Sequence, residues 1–344
     1  RFMVADFIHE DDSMRFMIAG YGSIGRRHLH NLMTLGEQDV FLYRTGRSTL
    51  PAEEIAGVES ETDLEAALAR KPHAVIIANP TASHLSVAIP AARAGCHLLL
   101  EKPISHDLTG LPELKQALSE GGGQVLIGFQ FRYHPGLRKI DQVLSSGELG
   151  VPLSARCEWG EYLPGWHPWE DYRQSYSARP ELGGGVVLTL SHPLDYLSWF
   201  FGTVTDLWAD ACSLSSLGLD VEDHAEIILR FSSGVRASLH LDYYRRPPVH
   251  RLEITCEDGV IAWDNADGAA TLIHAARGER RVFHPPEGFE RNWLFLEEMR
   301  HFLAVCRGEA APVCGLDDGE TALRLALAAL KSAQSGSLVR MEQP

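Results

Sequence analysis

The turn Gly20-Tyr21-Gly22-Ser23-Ile24-Gly25 constrains this chain more than any other segment. An apolar run, Arg15–Ala19, leads into it, and a helical pattern near 24–35 follows. A dinucleotide pyrophosphate needs free backbone amides at a helix N-terminus and no side chains in the way. Gly20, Gly22 and Gly25, with Ser23 and Ile24 between them, meet that need directly after a strand. Taken alone the pattern is weak, since a glycine-rich loop with no ligand reads the same way. It gains weight from Glu101-Lys102-Pro103, which closes the apolar run Cys96–Leu100. That places a lysine at the mouth of a sheet, where open α/β sheets bind ligands.

The first half alternates short apolar runs with helical patterns, the signature of a parallel α/β sheet. Strands are expected at 15–19, 39–43, 74–78, 97–100 and 124–129, with helices near 24–35, 62–70, 83–94 and 110–119. After residue 132 the texture changes to aromatic-rich loops around Trp159–Tyr176, then one apolar helix near 184–201. Alternating runs at 206–214, 222–231, 235–243, 251–256 and 260–263 follow. Val235, Ala237, Leu239, Leu241 and Tyr243 share one face, as in a strand buried on one side. Together these runs predict an open, mainly antiparallel sheet. Two helices, near 289–306 and 318–334, close the chain. The latter opens at Asp317 with Glu320 three residues on, a capping-box-like start.

The 344 residues suffice for two domains with separate cores. With 31 basic and 46 acidic residues the formal charge is −15, which repels phosphate backbones and anionic lipid. Nucleic acid and membrane are therefore not expected partners, and no stretch reaches the ~18 apolar residues of a membrane span. Residues 1–13 lack the basic start and apolar centre of a signal peptide and read as an extension or cloning remnant ahead of Met14. The six cysteines contain no Cys-x-x-Cys pair, which fits neither a zinc site nor a disulfide scaffold and suits a reduced, cytoplasmic setting. No metal is expected.

The second strand ends at Arg44-Thr45-Gly46-Arg47-Ser48. An NAD site usually offers a carboxylate there for the ribose 2′-hydroxyl. A guanidinium instead matches a 2′-phosphate in charge and fork geometry, so Arg44 and Thr45 favour NADP, with NAD second. A surface arginine serving solubility is the competing reading.

Taken in order, Gly20–Gly25, Asn79-Pro80-Thr-Ala-Ser-His84, Glu101-Lys102-Pro103 and Gly183-Gly-Gly185…Ser191-His192-x-x-Asp195 resemble the Gfo/Idh/MocA oxidoreductase family, from Met14 to about Met341. The resemblance implies α/β architecture: a Rossmann dinucleotide-binding domain over 14–132, then an α/β domain over 133–341. The open sheet of the second domain would make a homodimer or homotetramer, and the last helix, 318–334, would pack back on the first domain. It also implies hydride transfer between a nicotinamide and a secondary alcohol or ketone of a sugar, polyol or sugar nucleotide.

On this pattern Lys102, His192 and Asp195 are the catalytic candidates. Asn79, Pro80, His84, Glu101 and Lys102 join the glycine turn, Arg44 and Thr45 around the cofactor. Arg132, Tyr133, Trp166, His167, Tyr172 and Arg173 are the substrate candidates. A neighbouring nicotinamide and burial would depress the Lys102 pKa, and an imidazole suits proton exchange near neutrality. Each has a blander reading: Lys102 fixing a turn, His192 a satisfied core histidine, any one aromatic simple packing.

Two departures stand out. Thr189 occupies a position where relatives carry an acid, and Pro193 is expected to kink the helix beside His192. The threonine keeps open a dinucleotide-binding sensor without turnover, and the family resemblance adds a further alternative, glycosidase-type chemistry with transient hydride transfer.

Overall fold

The computed structural model describes residues 14–46 and 57–341; the N-terminal extension, Arg47 and Ser48 lie outside the described residues. The first sheet contains β1 (Phe16–Ala19), β2 (Val40–Tyr43), β3 (Ser60–Glu61), β4 (Ala74–Ile77), β5 (His97–Leu100) and β6 (Val125–Ile127). All its pairings are parallel, in the order β3-β2-β1-β4-β5-β6. Every residue of β1 and β4 is buried, because helices cover both faces. Those helices are α1 (Ser23–Thr34), α2 (Leu64–Ala69), α3 (His84–Arg93) and α4 (Leu111–Gly121). The strand order reverses between β1 and β4, which puts the ligand crevice at the carboxyl ends of these two strands.

The second half begins with α5 (Pro135–Ser146) and β7 (Pro152–Tyr162) and passes through α6 (Val186–Thr189) and α7 (His192–Phe201). There follow β8 (Val204–Cys212), β9 (His224–Phe231), β10 (Arg236–Asp242), β11 (Tyr244–Cys256), β12 (Gly259–Asp264), β13 (Ala270–His274) and β14 (Glu279–Phe283). Last come α8 (Arg291–Cys306), α9 (Leu316–Ser335) and β15 (Val339–Arg340). The nine-stranded sheet runs β14-β13-β12-β11-β7-β10-β9-β8-β15, antiparallel throughout except for β10 beside β7.

Three local expectations need correction. The central strand β7 lies partly in the segment read as aromatic loop. Its alternation, with Ala155, Cys157 and Trp159 buried, is masked by the charged residues between them. The single helix near 184–201 is two, interrupted at Leu190–Ser191. Pro193 therefore stands in the first turn of α7, where its missing N–H costs nothing, and kinks no helix interior. Finally, α9 starts two residues early: Gly315 is its N-cap, and the Asp318 carboxylate accepts the Gly315 N–H at 2.8 Å. Glu320 instead pairs with Lys115 of α4 at 2.7 Å. Gly319 packs where a Cβ would lie 2.7 Å from Ile104, so α9 seats on the first sheet.

Candidate active site

The three turn glycines have separate jobs. Gly20 has φ +94°, and a Cβ there would sit 2.7 Å from the Asn79 backbone. A Cβ on Gly25 would meet the Gly20 carbonyl oxygen at 2.1 Å, so its absence lets α1 press against the turn. Gly22 faces open space and caps α1 without a side-chain hydrogen bond, leaving the first amides of a twelve-residue helix free. That cradle fits a pyrophosphate. Arg44 is half-buried and Thr45 exposed just beyond β2, beside the same crevice.

Asn79 and Pro80 follow β4, and Glu101 and Lys102 follow β5. His84 is buried between the two turns: its Nδ1 and Nε2 each lie 2.9 Å from a carbonyl oxygen, those of Pro103 and Asn79. Burial lowers its pKa. It therefore ties the turn after β4 to the turn after β5.

Lys102 Nζ donates to the Thr189 carbonyl oxygen at 2.6 Å, joining the end of β5 to the end of α6. Burial pulls the Lys102 pKa down to about 8, against the opposing charge of Glu101. His192 opens α7 in an aromatic cage, with ring centroids 5.3 Å from Phe129, 4.9 Å from Phe131 and 5.6 Å from Trp159. Burial first, then the charge of Lys102, holds its pKa well below the usual histidine value, so the ring is neutral near pH 7. The break between α6 and α7 thus delivers the Thr189 carbonyl and the His192 imidazole together to Lys102.

The hydrogen bonds of Asp195 go to Arg132 rather than to His192. The Arg132 guanidinium claims the carboxylate with Nη2 at 2.6 Å and Nε at 3.0 Å, and also reaches the Val313 carbonyl at 2.7 Å. The pair is buried and ties the turn after β6 to α7 and to the start of α9. Tyr133 is buried against α8 with its ring under Arg138. The short turn 130–133 thus directs Arg132 and Tyr133 into the junction between elements, where both are buried.

The aromatic segment is held in short 3-10 turns. Trp166 packs edge-on against Tyr243 at 5.6 Å, His167 Nδ1 lies 2.7 Å from Glu170, and the Tyr172 hydroxyl donates to the Leu217 carbonyl at 2.9 Å. Arg173 is exposed over the Tyr172 ring.

The structure adds residues that the sequence did not single out. Glu161, at the end of β7, accepts the Trp159 indole N–H at 2.8 Å, and its charge is felt by Lys102. His250 stacks on Trp159 at 4.2 Å, behind His192. The Glu222 carboxylate fills the space that a Cβ on Gly185 would take and accepts the Val187 N–H at 3.1 Å; burial raises its pKa to about 7. Recognising β7 as a strand would have placed Glu161 at a strand end; nothing in the sequence marks His250 or Glu222.

The family profile described as the oxidoreductase family, NAD-binding Rossmann fold, matches residues 14–129, and the GFO/IDH/MocA C-terminal domain matches 137–262. This chain belongs to the Gfo/Idh/MocA oxidoreductase family. Among its relatives is myo-inositol 2-dehydrogenase of Thermotoga maritima, 26% identical over 96% of this chain and 99% of the relative. Another is 1,5-anhydro-D-fructose reductase of Ensifer adhaerens, 27% identical over 86% and 85%. Levoglucosan dehydrogenase in complex with NADH superposes with a TM-score of 0.84 at 20% identity, over 96% of this chain and all of that one. The chain is thus an NAD(P)-dependent oxidoreductase by family. Among the described residues no helix is long and apolar enough to cross a membrane.

Proposed function

We propose that this family member is a dehydrogenase or reductase that interconverts a secondary alcohol and a ketone on a sugar, polyol or sugar-nucleotide substrate, with NADP favoured over NAD. The observation that carries this reading is Lys102 held on the Thr189 carbonyl next to His192, at the carboxyl end of β5. Relatives named for inositol and anhydrofructose give the substrate class, while Arg44 supports the cofactor preference.

Gly20–Gly25, Arg44, Thr45, Asn79 and Pro80 would hold the dinucleotide, which when bound accepts or supplies the hydride. The protein's own task is the proton. Lys102, titrating near 8, takes a proton from the alcohol in its neutral form and returns one to the ketone in its charged form. The Thr189 carbonyl accepts only from Lys102 and exchanges no proton, so it fixes where the amine sits. His192, neutral and walled by aromatics, offers a second acceptor that leaves no excess charge in the pocket. Glu161, not Thr189, supplies the carboxylate on this side of Lys102. The open sheet is the surface through which two or four copies would assemble.

The test pairs binding with turnover. NADPH and NADH are titrated side by side through quenching of tryptophan fluorescence, then a panel of polyols and sugars is oxidised with each. Tighter NADPH binding with turnover of a polyhydroxyl substrate is expected. Tight binding with no turnover across the panel would favour a sensor, and release of free sugar without net cofactor reduction would favour glycosidase-type chemistry.

A further inference from the structure

Behind the cofactor turn lies a cluster that meets the proton path just described only through Glu101. His28, one turn beyond Gly25 on α1, is wholly buried, and its Nε2 lies 2.7 Å from Glu101 Oε1. The other Glu101 oxygen faces the backbone N–H of Lys102 at 3.3 Å. Gly128 makes room for this carboxylate, since a Cβ there would come within 3.0 Å of it. From α8, Glu298 completes the group: one ligand-type atom from each of His28, Glu101 and Glu298 lies within 4.8 Å of the others. Glu298 is fully buried, and neither of its oxygens has a hydrogen-bond partner.

An ionised carboxylate without partners in a dry interior is far costlier than a neutral acid. Two carboxylates this close, with one imidazole between them, resolve the conflict by keeping a proton on one of them. Glu101 has two partners, the His28 ring nitrogen at 2.7 Å and the Lys102 amide at 3.3 Å, and Glu298 has none, so the proton falls to Glu298. Burial and the Glu101 charge both raise the Glu298 pKa, in agreement with that division. The groups around Glu298 are His28 on α1, Glu101 after β5, Tyr133 in the 130–133 turn and Cys314 before α9; none is a fixed cation. Those acting on Lys102 are Glu101, Arg291 and Glu161, and Lys102 in turn acts on His192.

We propose that Glu298 is a positioning residue that stays protonated in the folded protein, keeps the buried Glu101 carboxylate ionised, and through it sets the proton affinity of Lys102. The proposal rests on Lys102 as the proton carrier, but its test needs no turnover. Lysines of the cofactor-free, full-length protein are ¹³C-dimethylated, the Lys102 resonance is assigned by its loss in Lys102→Arg, and its titration is followed by NMR. Infrared difference spectra between the wild type and Glu298→Gln report the carboxylic-acid carbonyl.

The expected result is an acid C=O band present in the wild type and absent in Glu298→Gln. The Lys102 midpoint should hold in Glu298→Gln and Glu298→Leu, which are uncharged like the protonated acid, and fall in Glu101→Gln. If Glu298→Leu fails to fold, the two glutamine variants alone decide. A Lys102 midpoint lowered by Glu298→Gln as much as by Glu101→Gln means that Glu298 is charged and overturns the proposal. So does a midpoint indifferent to Glu101→Gln, or a stoichiometric metal ion found in the purified protein by elemental analysis. Failure of the dehydrogenase reading shows separately, as a Lys102→Met variant with undiminished turnover.

Discussion

Lys102 and His192 sit in the same buried region yet are shifted by different neighbours. Desolvation disfavours the charged form of both, but Glu101 opposes it at Lys102 while Lys102 reinforces it at His192. The lysine is left titrating within the working range and the histidine is not. Alcohol oxidation needs neutral Lys102, so kcat/KM should climb with pH and level off above about 8. Ketone reduction needs the charged amine and should fall over the same interval. Steady-state rates in both directions between pH 6 and pH 9.5, roughly 1.5–2 units to either side of that midpoint, check the opposed signs. Lys102→Met should abolish the break and cost about 10²–10⁴-fold in kcat. Glu222→Gln is the control for the other group brought near neutrality, and it should leave the break at 8 in place.

Among elements, the junction built on Arg132 and Asp195 shows what a motif can and cannot convey. The spacing of His192 and Asp195 puts both on one helix face, and the sequence leaves open equally whether the carboxylate orients the imidazole or merely bonds backbone. Arg132, remote in sequence, captures the aspartate instead. Arg132→Met should therefore cost stability rather than chemistry, about 3–5 kcal/mol from stranding a buried carboxylate, read by urea unfolding. Adding Asp195→Leu should recover part of the loss.

The parallel sheet was legible because strands buried on both faces are unbroken apolar runs, and the glycine turn because its geometry admits few other residues. β7 was not, since Arg156 and Glu158 on its open face disguise the alternation. Nor was the fate of Arg132, whose partners Asp195, Val313 and Asp318 come from elements distant in sequence. Gly315 as the cap of α9 was hidden for a different reason: a glycine N-cap has no side chain to recognise.

For the molecule as a whole, the nine-stranded sheet has one finished face and one open face. Across the register, Leu207, Leu229, Ala237, Ala155, Ile254, Ile261 and Leu272 form one buried row. The opposite row carries Trp208 beside Ile228 and then Ser238, Arg156 and Glu253. Trp208 and Ile228 are 40% and 42% exposed, a large apolar pair to leave against water. Trp208→Glu together with Ile228→Lys is expected to convert an oligomer to monomer in sedimentation equilibrium while leaving the thermal unfolding of the protomer nearly unchanged. A wild type that sediments as a monomer would remove this face from consideration.

The tether on Lys102 is a main-chain atom, and that has an evolutionary corollary. Every residue type presents the same oxygen, so scanning position 189 residue by residue would never sever the contact. Selection is correspondingly blind to that contact whenever the codon drifts. A substitution at 189 can therefore change the side chain while the amine stays anchored on the same main-chain oxygen.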